Sequence, residues 1–138
     1  MEKSIHASAA AAIRKELKAT FLEIKFSVKA KSYSGGNSVS VTWEDGPTAE
    51  EVNAVIKKYQ MGHFDGMTDM YEYSNTSSDV PQVKFVFAQR DISDGKRAEL
   101  VKEISGRFGV DMNDYDDVYK TFRASPNEIV WRAFNGRL

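Results

Sequence analysis

Polar side chains that could bind phosphate alternate with apolar residues along two neighbouring stretches of the chain. The polar positions are Lys25, Ser27, Lys29 and Lys31 in the first stretch, and Ser38, Ser40 and Thr42 in the second. Successive residues of a strand point to opposite faces, so each stretch is predicted to place these groups on one face. Ammonium and hydroxyl groups on a flat sheet suit the phosphates of a nucleic-acid backbone. The alternative is a solvated face whose lysines discourage aggregation between sheet edges.

A glycine-rich turn, Tyr33-Ser34-Gly35-Gly36-Asn37, joins the two stretches. Glycine lets the backbone bend sharply or approach a ligand closely, and backbone N–H groups in such a turn can cradle an anion. The turn lacks the Gly-Lys-Ser/Thr ending of a P-loop. It is interpreted either as a plain hairpin turn or as part of a binding surface.

Three carboxylates stand near turns, at Asp45, Asp65 and Asp69, and His63 shortly precedes Asp65. One imidazole and two carboxylates could bind a divalent cation. The sequence has no cysteine, however, and its other histidine, His6, is distant in the chain. We therefore predict no metal site, no cofactor and no catalytic residue. Asp45 and Asp69 could instead cap helices or pair with lysines.

Aromatic residues and one arginine complete the candidate surface. The aromatic residues considered are Trp43, Tyr71, Tyr73, Tyr115, Tyr119 and Trp131. Their spacing predicts that most of them belong to the core. Tyr71 and Tyr73 fall in a long loop, where they could instead stack on bases or anchor a partner protein. Arg90 follows a predicted strand, and a structural salt bridge to the hairpin turn or to Asp45 is favoured over a catalytic role.

The composition is that of an ordinary globular domain. The chain has 138 residues, 41% of them apolar and 28% charged, which argues against a disordered, collagen-like or coiled-coil protein. No apolar run approaches the roughly 18 residues of a membrane span. At this length we expect a single domain over 1–138. The absence of a secretory leader and of cysteine favours the cytoplasm.

Charge is balanced overall at −1 but is uneven along the chain. Residues 1–43 carry seven Lys/Arg against three Asp/Glu, whereas residues 44–79 carry two against eight. The basic third could meet phosphate, or it could pair with the protein's own acidic segment. A pI near 6.1 is not that of a dedicated nucleic-acid binder, so the second interpretation is favoured.

Hydrophobic periodicity predicts an α+β fold. Helices are expected over 4–19, from Thr48 to about Gln60, and over 94–107 and 114–122. Strands are expected over 24–31 and 38–43 as a β-hairpin, and over 82–89 and 128–134, while 61–81 reads as a long loop with a short extended piece at Met70–Tyr73. This order predicts a mixed or antiparallel sheet of about four strands, with helices packed mainly on one face.

A longer pattern surrounds the hairpin. It consists of Lys25-Phe26-Ser27-Val28, Ser34-Gly35-Gly36, Ser38, Val41-Thr42-Trp43-Glu44-Asp45-Gly46-Pro47 and, further on, Asp65-Gly66 and Asp69. Over about residues 10–93 the sequence resembles the large polyvalent protein-associated domain family, and the Arg90-Asp91-Ile92-Ser93 turn also fits. Such domains occur in phages, plasmids and other mobile elements. The resemblance implies an accessory role for incoming DNA, such as opposing host defences, and it carries no catalytic residue with it.

Three functional hypotheses follow. The favoured one is a non-enzymatic binding module, in the cytoplasm of a host cell, that contacts nucleic acid or a host defence protein. Its surface would comprise Lys25, Ser27, Lys29, Lys31, Tyr33, Ser34, Gly35, Gly36, Ser38, Trp43, Asp45, Asp65, Asp69, Tyr71 and Arg90. The second is a small enzyme acting on a phosphorylated or nucleotide ligand, with one of these acids as base. The third is an inhibitor whose acidic middle segment mimics nucleic acid.

Overall fold

The computed structural model describes residues 4–138, which divide into two compact units. The first unit ends at Asp91 and the second runs from Ile92 to Leu138. Each unit has its own cluster of buried apolar residues. The single domain expected over 1–138 stays a prediction.

Helices and strands are mixed in the first unit, whereas the second is helical. The first contains α1 (Ile5–Thr20), β1 (Ser27–Tyr33), β2 (Gly36–Glu44), α2 (Ala49–Ile56) with a 3-10 turn (Lys57–Tyr59), β3 (His63–Asp65), β4 (Met70–Glu72) and β5 (Phe85–Asp91). The second contains α3 (Asp94–Phe108), α4 (Tyr115–Phe122) and α5 (Pro126–Phe134). The predicted α+β class is therefore confirmed. Among residues 4–138, no helix is both long and apolar enough to cross a membrane.

The main sheet has the strand order β1-β2-β5. The predicted hairpin is confirmed: β1 pairs antiparallel with β2, with Lys29 opposite Ser40. β5 pairs parallel with β2, with Ser40 opposite Phe87. The sheet is thus mixed, with three strands rather than about four, and β3 and β4 form a separate antiparallel hairpin.

One face of this sheet forms the core of the first unit, and we call it the inner face. Val28, Val39, Val41 and Trp43 are buried there. They share a cluster with the apolar residues of the two helices, which are Ala9, Ala10, Ile13, Leu17, Val52 and Ile56. Both helices of this unit therefore cover the inner face, as the sequence predicts.

A charged contact joins α1 to the end of α2. The Tyr59 hydroxyl donates to Glu16 Oε1 at 2.7 Å, and Lys58 Nζ lies 2.7 Å from the same oxygen. Partial burial raises the pKa of Glu16, but the hydrogen bonds from Lys58 and Tyr59 outweigh it and leave the pKa lowered. Burial, followed by the bond to Glu16, raises the pKa of Tyr59 to about 12. The ionised carboxylate therefore stabilises the fold.

Residues 61–81, predicted to form a long loop, contain the β3–β4 hairpin. Its second strand, β4, coincides with the short extended piece expected at Met70–Tyr73. Side-chain amides hold the base of this hairpin. Gln82 Nε2 donates to the carbonyls of Lys58 and Asn75 at 2.8 Å, and Gln60 Oε1 accepts from Val86 N at 2.7 Å. These bonds fix the hairpin beside the start of β5.

The second unit corrects two sequence predictions. Residues 128–134 are helical in α5, not a strand, because the Ser125 hydroxyl accepts from Glu128 N and Pro126 occupies the first turn. Serine followed by proline is a helix start signal, which outweighs the β-rich composition of the segment. The expectation that the aromatics are mostly core holds for Trp43 but fails here. Exposed aromatics of this unit are Tyr115, Tyr119 and Trp131.

The first prediction concerns Glu16. Glu16→Gln should lower the free energy of unfolding at pH 7 by about 1 kcal/mol, the usual contribution of such a bond. Because the pKa of Glu16 is lowered on folding, its contribution is present above its ordinary value of about 4.3 and is lost as pH falls through the folded-state value. Urea unfolding of both proteins from pH 7 to pH 3 should show the difference shrinking. Glu23→Gln, at an exposed position, is the control, and equal effects of the two variants would contradict the assignment.

The second prediction concerns Gly62. A Cβ built there would lie 1.8 Å from the Glu72 carbonyl oxygen, so Gly62→Ala must displace β4. We expect a loss of about 1–3 kcal/mol in the free energy of unfolding and faster proteolysis within 63–75. Gly66→Ala meets nothing within 4 Å and should leave stability within about 0.5 kcal/mol of the parent. Similar behaviour of the two variants would show that the close approach at Gly62 is absent in solution.

Candidate functional site

The face of the sheet that points away from α1 and α2 collects Lys29 and Lys31 of β1 and alternate residues of β5. We call it the outer face. Register places its residues in rows that run across β1, β2 and β5. The rows are Lys31, Ser38 and Phe85; Lys29, Ser40 and Phe87; Ser27, Thr42 and Gln89; and, at the end away from the turn, Glu44 and Asp91. The polar face of the hairpin therefore continues into a strip of phenylalanines.

Lys29 and Lys31 are the cations of this face. Both are exposed, and neither forms a salt bridge with any residue of 4–138. Their rows contain hydroxyl and phenyl groups but no carboxylate. Lys25 differs, because it lines a groove together with Glu44 and Asp91. The unbalanced positive charge thus lies towards the turn end of the hairpin.

Four aromatic rings form a continuous row beside these lysines. The ring centroids of Tyr73 and Tyr71 are 4.8 Å apart, those of Tyr71 and Phe85 5.4 Å, and those of Phe85 and Phe87 5.9 Å. Tyr71 and Phe85 are half-buried, whereas Tyr73 is 57% and Phe87 52% exposed. We call these four residues the aromatic row. Its two ends are accessible and its middle is packed.

Lys84 links the aromatic row to the glycine turn. Its Nζ donates to the Gly35 carbonyl at 3.0 Å and lies 5.1 Å from the centre of the Tyr71 ring. Gly35 has a φ of 93°, a left-handed conformation that favours glycine. A Cβ at Gly36 would come within 2.9 Å of the Lys84 side chain. The two glycines therefore make room for a third ammonium group.

Asp45 lies in the turn that follows β2, next to Trp43 of β2 and Arg90 of β5, which are paired in register. The Trp43 indole is buried and donates to the Pro47 carbonyl at 2.8 Å. Arg90 donates from Nε to the Asp45 carbonyl at 2.9 Å and from Nη2 to the Gly46 carbonyl at 2.8 Å. Burial lowers the pKa of Arg90, and the charges of Asp45 and Glu51 act in the opposite direction. These contacts hold the passage from β2 to α2.

Asp65 and Asp69 flank the turn of the β3–β4 hairpin. Met67 N donates to Asp65 Oδ1 at 2.9 Å, a bond that holds the pKa of this carboxyl below its usual value. Asp69 adopts a left-handed conformation, with a φ of 56°. His63 turns to Glu72, with Nε2 3.6 Å from Oε2. Within residues 4–138 no three or more His, Asp or Glu side chains are grouped so that they could hold a metal ion.

The structure thus divides the sequence-predicted residues into two groups. Those on the outer face or bordering it are Ser27, Lys29, Lys31, Tyr33, Ser34, Gly35, Gly36 and Tyr71. Ser38 lies on this face but is only 6% exposed. The remaining residues lie elsewhere: Lys25 at the acidic groove, Trp43 and Arg90 in β2 and β5 beside the turn that contains Asp45, and Asp65 and Asp69 on either side of the turn of the β3–β4 hairpin.

Sequence reasoning missed Phe85, Phe87 and Lys84. The alternation of Val83, Phe85 and Phe87 identified the strand but not which of its faces meets the core. The inner face takes Val86 and Ala88 instead. An available signal was the alternation of the two phenylalanines with the smaller apolar residues Val86 and Ala88.

Comparison with known proteins identifies the family of the chain. The family model of large polyvalent protein associated domain 29 matches residues 6–93, which confirms the resemblance seen in the sequence. No curated protein and no solved structure matches. The matched segment includes both strands of the hairpin, β3, β4 and β5. Because it covers more than half of the chain, the protein belongs to the large polyvalent protein associated domain 29 family and is associated with phages and other mobile elements.

Proposed function

We propose that this protein is a nucleic-acid-binding module of a mobile element, and that the outer face of its sheet contacts the sugar-phosphate backbone. The observation that carries the proposal is the pair Lys29 and Lys31. Both side chains are exposed on one face of one strand, without an ion pair to residues 4–138.

Phosphate fits this arrangement. Residues two apart on a strand are separated by about 7 Å, so the two ammonium groups can reach different phosphates. The neighbouring hydroxyl of Ser40 is half-buried and can donate to a phosphate oxygen. Lys84 adds a third cation at the glycine turn. Glu44 and Asp91 lie at the opposite end of this face, so its positive charge is concentrated at the turn end, where the rows of Lys29 and Lys31 contain no carboxylate. A local cationic surface of this kind attracts a polyanion.

The enzyme hypothesis receives less support. Asp45 and Asp69 have left-handed backbone conformations in turns, and Asp65 is the last residue of β3, just before the second of these turns. Asp65 accepts a backbone hydrogen bond, and the Asp45 carbonyl receives Arg90. A general base needs a carboxylate beside a substrate pocket, and these positions argue for turn formation instead.

The nucleic-acid-mimic hypothesis is also less favoured. Mimicry requires that the acids of 44–79 form one continuous surface. Glu51 instead closes the capping box of α2 with Thr48, Asp65 holds a turn, and Glu72 faces His63. Local roles of this kind spread the carboxylates over separate elements.

The third prediction tests the lysine pair. Lys29→Glu/Lys31→Glu should weaken binding of labelled DNA or RNA at least about tenfold at about 50 mM salt, and should lower the salt slope by about 2, one for each lost phosphate contact. Fluorescence anisotropy from about 50 to 200 mM salt measures both quantities. Circular dichroism verifies that the variant is folded.

The matched control is Lys15→Glu/Lys18→Glu on α1, which changes the net charge equally at exposed positions of a helix that covers the inner face. It should reduce binding far less than the pair on β1. Equal loss in both variants would assign binding to net charge and not to the outer face. No binding of single- or double-stranded DNA or RNA at about 50 mM salt would overturn the proposal and favour a protein partner.

A further inference from the structure

Phe87 is an unusual residue for a solvated sheet face. It is a large apolar side chain that is 52% exposed, in a row with Lys29 and Ser40. Aromatic residues normally contribute their large apolar area to a core or an interface. The inner face already receives Val86 and Ala88 from the same strand. The outward position of Phe87 therefore leaves an exposed ring on which a ligand can pack.

The exposure is not confined to one ring. Tyr73, at the other end of the aromatic row, is 57% exposed. Between the two ends, Tyr71 packs on Phe85 at 82° and its hydroxyl donates to the Lys84 carbonyl at 2.5 Å. This hydrogen bond and the amide contacts of Gln60 and Gln82 hold the row in place. Its rings are thus positioned before any ligand arrives.

The lysines run alongside the row. Neighbouring strands are about 4.8 Å apart, so β1 and β5 are separated by about 10 Å across β2. A lysine on β1 can therefore reach a phosphate whose base lies over β5. Lys84 places its ammonium group 5.1 Å from the Tyr71 ring and 5.9 Å from the Phe85 ring. Positive charge and aromatic rings occupy the same face, on parallel lines.

Bases can use such rings only when they are unpaired. In a duplex each base is stacked on its neighbours and its faces are covered, whereas a single strand can turn its bases onto aromatic side chains. Platforms of this kind tolerate any sequence, because every base has a π-face. A duplex would therefore contact the lysines through its phosphates, and its bases would not stack on the rings.

We infer that the outer face binds a single strand, with unpaired bases stacked on the exposed ends of the aromatic row and the backbone following Lys29 and Lys31. This inference rests on the proposed function and adds the class of nucleic acid. Single-stranded DNA and RNA share the required chemistry, and the experiment below distinguishes them.

The fourth prediction compares the binding of single-stranded and duplex probes, and tests the contribution of the Phe87 ring. Anisotropy at about 50 mM salt would use a labelled oligothymidylate, an oligouridylate of equal length, and a hairpin duplex of mixed sequence. The single strands should bind at least about tenfold more tightly than the duplex. Phe87→Ala should weaken single-strand binding by about 5- to 150-fold, as expected for the loss of one stacked base. Its salt slope should stay unchanged, because no phosphate contact is removed.

Controls separate stacking from folding. Phe87→Tyr keeps a ring and should retain affinity. Tyr115→Ala removes an exposed aromatic of the second unit and should have no effect. Should Phe87→Ala unfold, Tyr73→Ala provides the same test at the other exposed end. The tighter of the two single-strand probes identifies DNA or RNA as the preferred ligand.

The outcomes for the two proposals are distinct. Equal binding of duplex and single strands, or unchanged binding by Phe87→Ala and Tyr73→Ala, overturns the single-strand inference. The proposed function survives that result if Lys29→Glu/Lys31→Glu still abolishes binding. If this lysine variant also binds normally, both proposals fail.

Discussion

The packing of Val39, Val41 and Trp43 against α1 and α2 determines to which face of the sheet the remaining side chains point. Because side chains alternate along a strand, burying these three sends Ser40 and its row neighbours to the opposite face. A slip of one residue would exchange the two faces and bury the lysines. The apolar core therefore fixes the outward direction of Lys29 and Phe87, although neither residue belongs to that core.

Parallel pairing of β2 with β5 combines two features that are distant in sequence. The lysines come from the hairpin, and the phenylalanines come from a strand that follows α2 and the β3–β4 hairpin. The side-chain amides of Gln60 and Gln82 hold that hairpin beside β5, because Gln60 accepts from Val86 N and Gln82 donates to the Asn75 carbonyl. In this arrangement Tyr71 packs on Phe85. The family match ends shortly after β5, so the matched segment contains the whole outer face, whereas α3, α4 and α5 lie beyond it.

Local sequence signals made many of the helices and strands predictable. The alternation of β1 and β2, the capping box at Thr48 and the left-handed Gly109 after α3 are properties of short segments. The partner and the inward face of β5 depend on contacts between distant residues, which is why Phe87 was missed. Arg90 shows the same limit. Its proximity to the turn at Asp45 could be predicted, but its bonds to two backbone carbonyls depend on the parallel register.

The most direct test maps a bound strand onto the sheet. Two-dimensional NMR of the ¹⁵N-labelled chain, titrated with the tighter-binding single-stranded oligonucleotide, would report which backbone amides change. The outer face predicts the largest changes at Lys29, Ser40 and Phe87 and the adjacent positions of β1, β2 and β5, with α1 unchanged around Lys15. Changes confined to α1, or to the second unit, would contradict the assignment of the outer face as the binding surface.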